Sequence, residues 1–257
     1  MVVIAGIDLA WSGRKPTGIC MLECDGPRSR LLDLSCTPAN SCAPEISECL
    51  RNLGPNVVAG IDAPLIVGLA RRAEADLARA FGRQGVYAYA ARADFLQRHG
   101  IEEGPRLGVL LAESGWNLDP CRLVAGAPGR HALEVFPHST TVSLLGSPSA
   151  LKYKKGPMAA RLGPMTTLQS LLREYAEREL PCLLGAEARD ILEAPIESQP
   201  ITGLKSLEDK LDAICCAFAA YQAWKFGPAG LTVFGDSQNG YIAVPKPITS
   251  SVAPSFP

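Results

Sequence analysis

The order in which the hydrophobic period changes along the N-terminal part constrains this chain most. The run Val2-Val3-Ile4-Ala5-Gly6-Ile7-Asp8-Leu9 is rich in β-formers and ends at the loop Ser12-Gly13-Arg14-Lys15-Pro16. Thr17 to Cys24 reads as a second strand, Asp25-Gly26-Pro27 as a turn, and Arg30 to Cys36 as a third strand. Connections this short make an antiparallel meander, because a parallel crossover needs a dozen residues or more. The period then becomes helical: Ala43 to Leu53 spaces Ile46, Cys49, Leu50 and Leu53 along one face, and Gly54-Pro55 stops it. Asn56 to Asp62 follows as a nearly continuous apolar strand, as expected when both faces are covered, and Ala63-Pro64 ends it. A strand entered through a crossover helix lies parallel in the same sheet, so the order is β-β-β-α-β.

Beyond it, Leu69 to Ser114 reads as three helical pieces separated by Gly82, Gly85, Gly100 and Gly104. His131 to Phe136 is a fifth strand, closed by Pro137, and Gly156 to Pro164 a Gly/Pro-rich loop. Thr166 to Leu180 reads as a helix and Glu187 to Pro200 as acidic and weakly structured. The clearest helix is Ser206 to Phe226, with Leu207, Leu211, Ile214, Cys215, Phe218 and Tyr221 in phase and Ser206/Asp209 as a start signal. The expectation is an α/β fold: a mixed five-stranded sheet, three strands antiparallel and two parallel, flanked by helices. One domain spans 1–245, with a helical insertion at about 139–200 and a flexible tail at 246–257.

Charge and cysteine usage narrow the functional classes. Lys+Arg number 25 against 26 Asp+Glu, a net charge of −1, which excludes a generally polybasic binder and leaves a local patch as the only place for a polyanion. Nine cysteines at irregular spacing, with no CxxC pair and three histidines, argue against structural zinc and for reduced thiols. No basic residue precedes the first apolar run, and no stretch is long enough to span a bilayer. A soluble, cytoplasmic protein with no membrane partner is expected.

Four acids lie in apolar surroundings. Asp8 and Asp62 stand at the carboxyl ends of the first and fourth strands, where open α/β sheets place ligands. Asp209 and Asp212, three apart at the head of the last helix, share a helix face. Brought together, these carboxylates would raise one another's pKa unless a cation neutralised them, and hard oxygen donors suit Mg²⁺ or Mn²⁺. Two such ions could activate water and stabilise the leaving oxygen of a phosphodiester. Ala213, Cys216, Ala217, Ala219 and Ala220 are small enough to let that helix approach the sheet. Taken singly, each acid has a structural alternative: Asp8 as a turn cap, Asp209 as a favourable charge at a helix start.

The segment Cys121 to Arg173 holds seven bases (Arg122, Arg130, Lys152, Lys154, Lys155, Arg161 and Arg173) against the single acid Glu134, while Glu174 to Asp212 holds ten acids and four bases. Such asymmetry is the footprint of a phosphate-tracking patch, with Lys152 or Lys154 on the backbone and Tyr153 between them available for base stacking. The alternative is a solvated loop. Glu134, alone in an apolar strand, is either a further metal ligand or an arginine's partner. His138 is either a proton shuttle or an exposed loop residue. Arg71 could reach a phosphate or make a surface salt bridge, and Trp11 could line a substrate groove or close the core.

At these residues the chain becomes similar to a known family. Gly6-Ile7-Asp8-Leu9-Ala10, Gly60-Ile61-Asp62-Ala63-Pro64-Leu65, Glu134-Val135-Phe136-Pro137, Lys152-Tyr153-Lys154, Leu211-Asp212-Ala213 and Gly240-Tyr241-Ile242-Ala243-Val244-Pro245 resemble domain-of-unknown-function family 429, over about residues 3–245. The resemblance implies an RNase H-like fold and a nuclease. The layout also looks like RuvC-type Holliday-junction resolvases, whose D-x-x-D-A helix opening is matched by Asp209-Lys210-Leu211-Asp212-Ala213, although Asp62 replaces their glutamate. It implies metal-dependent phosphodiester hydrolysis of DNA or RNA, with Asp8, Asp62 and Asp212 as core ligands and Asp209 as a fourth. Resolvases of this layout act as dimers, so a homodimer belongs to what the likeness implies. Two other readings stand beside it: an ATPase of the actin–hexokinase group, which shares the core, and a non-catalytic nucleic-acid-binding module.

Overall fold

The computed structural model describes residues 1–25, 28–38, 40–180, 186–193, 195–196 and 201–247. Strands β1 (Val2–Asp8), β2 (Gly18–Asp25) and β3 (Arg28–Cys36) form the meander; α1 (Ala43–Asn52) then crosses over to β4 (Val57–Ile61), and β5 (Arg130–Glu134) completes the sheet. The spatial order is β3-β2-β1-β4-β5. β2 is antiparallel to β1 and β3, while β4 runs parallel to β1 and β5 parallel to β4. This is the mixed five-stranded sheet expected from the sequence.

Helices cover both faces. In β1 the even positions Val2 and Ile4 pack towards α8 (Ile201–Phe226), and the odd positions Val3, Ala5 and Ile7 pack against α1 and α4 (Glu103–Glu113). Between β4 and α4 lie α2 (Ala73–Phe81) and α3 (Ala93–His99), so the three helical pieces read from glycine spacing are present. After β5 come α5 (Pro137–Ser143), α6 (Met158–Glu179) and α7 (Ala186–Glu193).

Two helix starts differ from expectation. α6 begins at Met158, so Gly163 and Pro164 lie inside a helix and not in a loop; Thr166 and Thr167 turn their hydroxyls back onto the Leu162 and Gly163 carbonyls. α8 begins at Ile201, upstream of Ser206, so Ser206 is no cap and Asp209 and Asp212 sit well inside the helix, where a helix-start explanation for them fails. A hairpin, β6 (Leu231–Asp236) and β7 (Gly240–Pro245), lies beside β5 through a bridge between Val135 and Ala243. Parts of the Asp25-Gly26-Pro27 turn, of the 187–200 segment and of the tail (248–257) lie outside the described residues. No helix among the described residues is long and apolar enough to cross a membrane. Eight described cysteines are free thiols.

The contact that fixes the layers is backbone on backbone. A side-chain carbon at Gly6 would collide with the Ala213 carbonyl, and one at Gly60 with the Cys216 carbonyl, so α8 lies directly on β1 and β4. Ala213, Ala217 and Ala220, all buried, complete this surface. Gly60→Ala should therefore destabilise the protein by about 1–3 kcal/mol, since neither partner can retreat. Gly163→Ala, which meets nothing within 4 Å, should stabilise it by roughly 0.5–1 kcal/mol. Urea midpoints of the two variants check the contrast; equal shifts would contradict it.

Candidate functional site

Register brings the first two acids together. Gly6 pairs with Gly60 and Ile7 with Ile61 across the parallel β1–β4 ladder, and the Asp62 amide donates to the Ile7 carbonyl at 2.8 Å. Asp8 and Asp62 are therefore neighbours at the carboxyl ends of two parallel strands, and both share the parity of the glycines that face α8. The Trp11 indole donates to the Asp62 carbonyl at 2.9 Å, which pins the chain leaving β4.

α8 supplies the third acid. Asp212 is fully buried: one carboxylate oxygen accepts from the Tyr153 hydroxyl at 2.5 Å, and the other lies 2.5 Å from the Lys154 ammonium, outside hydrogen-bonding angles. The loop between α5 and α6 delivers both groups. Tyr153 is fully buried and its carbonyl accepts from Arg161, whose guanidinium also reaches Glu208 of α8 at 2.6 Å. Lys154 is thereby held against the Asp212 carboxylate, within the electrostatic reach of Asp8 and Asp62.

The electrostatics follow from three acids around one base. Burial holds Asp8 well above the ordinary carboxylate range; Lys154 opposes this, and Asp212, Asp62 and Asp209 add to it. Burial pushes Asp62 up to about 6, with Lys154 pulling down, Asp212 pushing up, and a hydrogen bond from Asp8 pulling down again. For Lys154, burial favours the neutral amine, yet Asp212, Asp8 and Asp62 outweigh it and hold the ammonium well above its usual range. Burial thus makes the strand-end acids easier to protonate, and the acids make the lysine harder to deprotonate.

The other expected residues fall elsewhere. Asp209 lies one turn before Asp212, its carbonyl against Gly18 of β2; one carboxylate oxygen takes Lys205 at 2.6 Å and the other is buried without a hydrogen-bond partner among the described residues. Glu134 does not join the cluster. It pairs with Ile61 in the sheet, one position out of phase with Asp62, and so faces away from α8. There it binds the Arg71 guanidinium through both oxygens and accepts from the Leu65 amide. Arg71, expected at a phosphate, is buried and fully engaged by Glu134, Glu74 and the Ile66 carbonyl. Tyr153, expected to stack on a base, is interior. Lys152 is exposed. The basic patch shrinks accordingly: Arg122, Arg130, Lys154 and Arg161 are all engaged within the protein.

His138 is not an exposed loop residue. It opens α5 between Phe136 and Tyr153, with ring centroids at 5.5 and 5.2 Å, and its Nδ1 is buried without a partner among the described residues. Burial pushes it down to about 4, so the ring is neutral. Its closeness to the site comes from the docking of α5 and the Tyr153 loop, for which no local sequence signal exists.

Among the described residues, no three acids, histidines or cysteines form a ready-made metal cage. The donor chemistry nonetheless fits one hard cation. Asp8, Asp62 and Asp212 offer oxygens alone, their combined charge exceeds what Lys154 neutralises, and one buried Asp212 oxygen has no hydrogen bond of good geometry. Glu134 does not fit, and Asp209 would first have to release Lys205.

A protein family described as a protein of unknown function, DUF429, matches residues 6–236. No curated protein matches the chain.

Two outcomes follow from the charge balance. Lys154→Met leaves buried carboxylates unpaired, so the metal-free protein should lose roughly 3–5 kcal/mol of stability. The same variant should bind Mn²⁺ about tenfold tighter, with a melting temperature that now rises with Mn²⁺ concentration. Calorimetry and thermal shift read both effects, and unchanged affinity would refute the competition.

The second outcome concerns Asp62. Its folded value of about 6 lies above the ordinary carboxylate value, so the native state binds the extra proton, and stability falls as pH rises from about 4 through about 6. Asp62→Asn should therefore raise the melting temperature at about pH 8 and lose that advantage near about pH 4, where the wild-type acid is already protonated. A gain independent of pH would contradict the assignment.

Proposed function

The chain belongs to the DUF429 family, and from the site just described we propose that it hydrolyses phosphodiester bonds of a nucleic acid, with Asp8, Asp62 and Asp212 holding a divalent Mg²⁺ or Mn²⁺. One observation carries this reading: three carboxylates from β1, β4 and α8 meet a single lysine at the carboxyl edge of parallel strands, where a sheet of this kind presents its ligand site. The RNase H-like layout inferred from the sequence motifs supports it.

A bound divalent ion supplies charge neutralisation at the phosphate and a more acidic water. The protein's own groups divide the remaining work. Asp8 and Asp62 would hold the ion in their ionised forms, and because burial raises both carboxyls, binding would strengthen with rising pH. Asp212 is oriented by Tyr153. Lys154, beside Asp212, would offer its ammonium to a non-bridging phosphate oxygen, a charge-assisted contact. Asp209 lends negative charge from the next turn. Trp11 holds the Asp62 backbone in place through its indole hydrogen bond.

The test uses labelled single-stranded, branched and RNA substrates with Mg²⁺ or Mn²⁺. Wild-type protein should cleave, Asp8→Asn and Asp212→Asn should lose on the order of a hundredfold or more, and Asp209→Asn should lose less. Cleavage that persists in Asp8→Asn, or that ignores chelation, would overturn the assignment. ATP turnover without cleavage would move the site to the actin–hexokinase type, and nucleic-acid binding with neither activity to a non-catalytic module.

A further inference from the structure

We propose that Tyr87 and Tyr89, with Lys155, Lys152 and Arg83, form a stacking platform that feeds a single-stranded nucleic acid to the carboxylate cluster. What happens to that strand rests on the hydrolase reading above; its binding does not.

The platform is a short extended segment between α2 and α3 that joins neither sheet. Its side chains alternate. Val86 is fully buried and Ala88 packs against the cluster under β7, while Tyr87 and Tyr89 point outward, 65% and 60% exposed. Two large aromatic rings are thus presented to solvent by a segment whose alternate positions are anchored in the core. The Tyr87 hydroxyl donates to the Gly82 carbonyl at 3.0 Å, which holds that ring in place.

The segment is physically joined to the loop that carries Lys154. The Ala150 amide donates to the Gln84 carbonyl at 2.7 Å. Lys155 bonds to the Tyr89 hydroxyl, with its ammonium 4.7 Å from the ring centroid. One residue earlier, Lys154 touches Asp212. Tyr89 and the reacting edge are therefore two ends of one short structural path. Charge completes the fit: Arg83 and Lys152 are exposed and form no ion pair among the described residues, whereas Arg92 is neutralised by Asp94 at 3.1 Å.

Spacing selects the form of nucleic acid. Positions i and i+2 of an extended chain present side chains on the same side about 6.6 Å apart. Duplex bases stack about 3.4 Å apart with no free face between neighbours, so exposed rings find none to cover along a duplex. They match unstacked bases, one ring each, flanked by lysines for the phosphates. Base–aromatic stacking tolerates any sequence and works equally on DNA and RNA.

The experiment is fluorescence anisotropy with short labelled DNA and RNA single strands and a duplex of equal length, in EDTA, so that no cleavage intervenes. Wild-type protein should prefer either single strand over the duplex. Tyr87→Ala/Tyr89→Ala should weaken single-strand binding by about tenfold or more, and Tyr87→Phe/Tyr89→Phe should stay within about twofold, because the ring face does the work. Lys152→Ala/Lys155→Ala should flatten the slope of log affinity against log salt by about 1.4. Both tyrosines are exposed, so unchanged melting temperatures separate binding loss from misfolding. Equal binding by the alanine variant, or a duplex preference, would overturn the platform even where Asp8-dependent cleavage persists. Tyrosine-dependent single-strand binding by a protein that never cleaves would support the platform and remove the hydrolase reading.

Discussion

Everything functional in this molecule depends on α8 lying in backbone contact with the sheet. Most helices on a sheet stand off by the thickness of their side chains; here Gly6, Gly18 and Gly60 remove that spacing on three adjoining strands, and the small residues of α8 remove it on the other side. The rise of the helix then converts one docking contact into a set of registered positions. Asp209 falls over β2, Ala213 over β1 and Cys216 over β4. Asp212, one residue before Ala213, is carried to the edge where β1 and β4 end. A helix held by ordinary side chains would leave its carboxylate too far from Asp8 and Asp62 to perturb them.

That proximity is expensive, and the structure answers it with protons and one lysine. Buried like charges cannot all remain ionised, so the strand-end acids rise in pKa while Lys154 stays charged among them. The lysine comes from a loop far from all three carboxylates in sequence, fastened by the buried Tyr153 and by Arg161. The second ion cluster, Arg71 with Glu134 and Glu74, solves a similar problem on the opposite face by engaging the guanidinium on every side. The difference between the two sites is the one that matters chemically: both Glu134 oxygens are hydrogen-bonded, whereas one buried Asp212 oxygen has no hydrogen bond of good geometry.

Much of this was legible in the residues. The meander, the crossover helix and the fourth strand follow from period changes and turn chemistry, and the positions of Asp8 and Asp62 at strand ends follow with them. Three features were hidden for physical reasons. Glu134 sits in Ala-Leu-Glu-Val-Phe, a strand covered on both faces, where apolar residues on either side give no phase; only pairing with Ile61 tells which face it takes. The Ser206 start signal is a chance pattern inside a helix already under way, since its spacing also suits a turn interior. Tyr153 between two lysines reads as surface, yet in an extended loop the middle residue points opposite to its neighbours, and burial took it inward.

The C-terminal hairpin was not foreseen as a pair of strands, and its placement bears on how the chain is made. Gly240 lies against the Arg71 guanidinium and the Ile66 carbonyl, and the Tyr241 hydroxyl closes on the Leu118 carbonyl at 2.8 Å, so the last strand seals contacts laid down much earlier. α8 likewise meets β1 across most of the polypeptide. During synthesis on the ribosome, therefore, the N-terminal strands must wait with their glycine face bare until α8 has been made. Contacts of such long sequence range slow folding and prolong the exposure of unpaired sheet. A ribosome that stalls before α8 emerges leaves a fragment with an open apolar face and no assembled acidic centre, a natural client for chaperones.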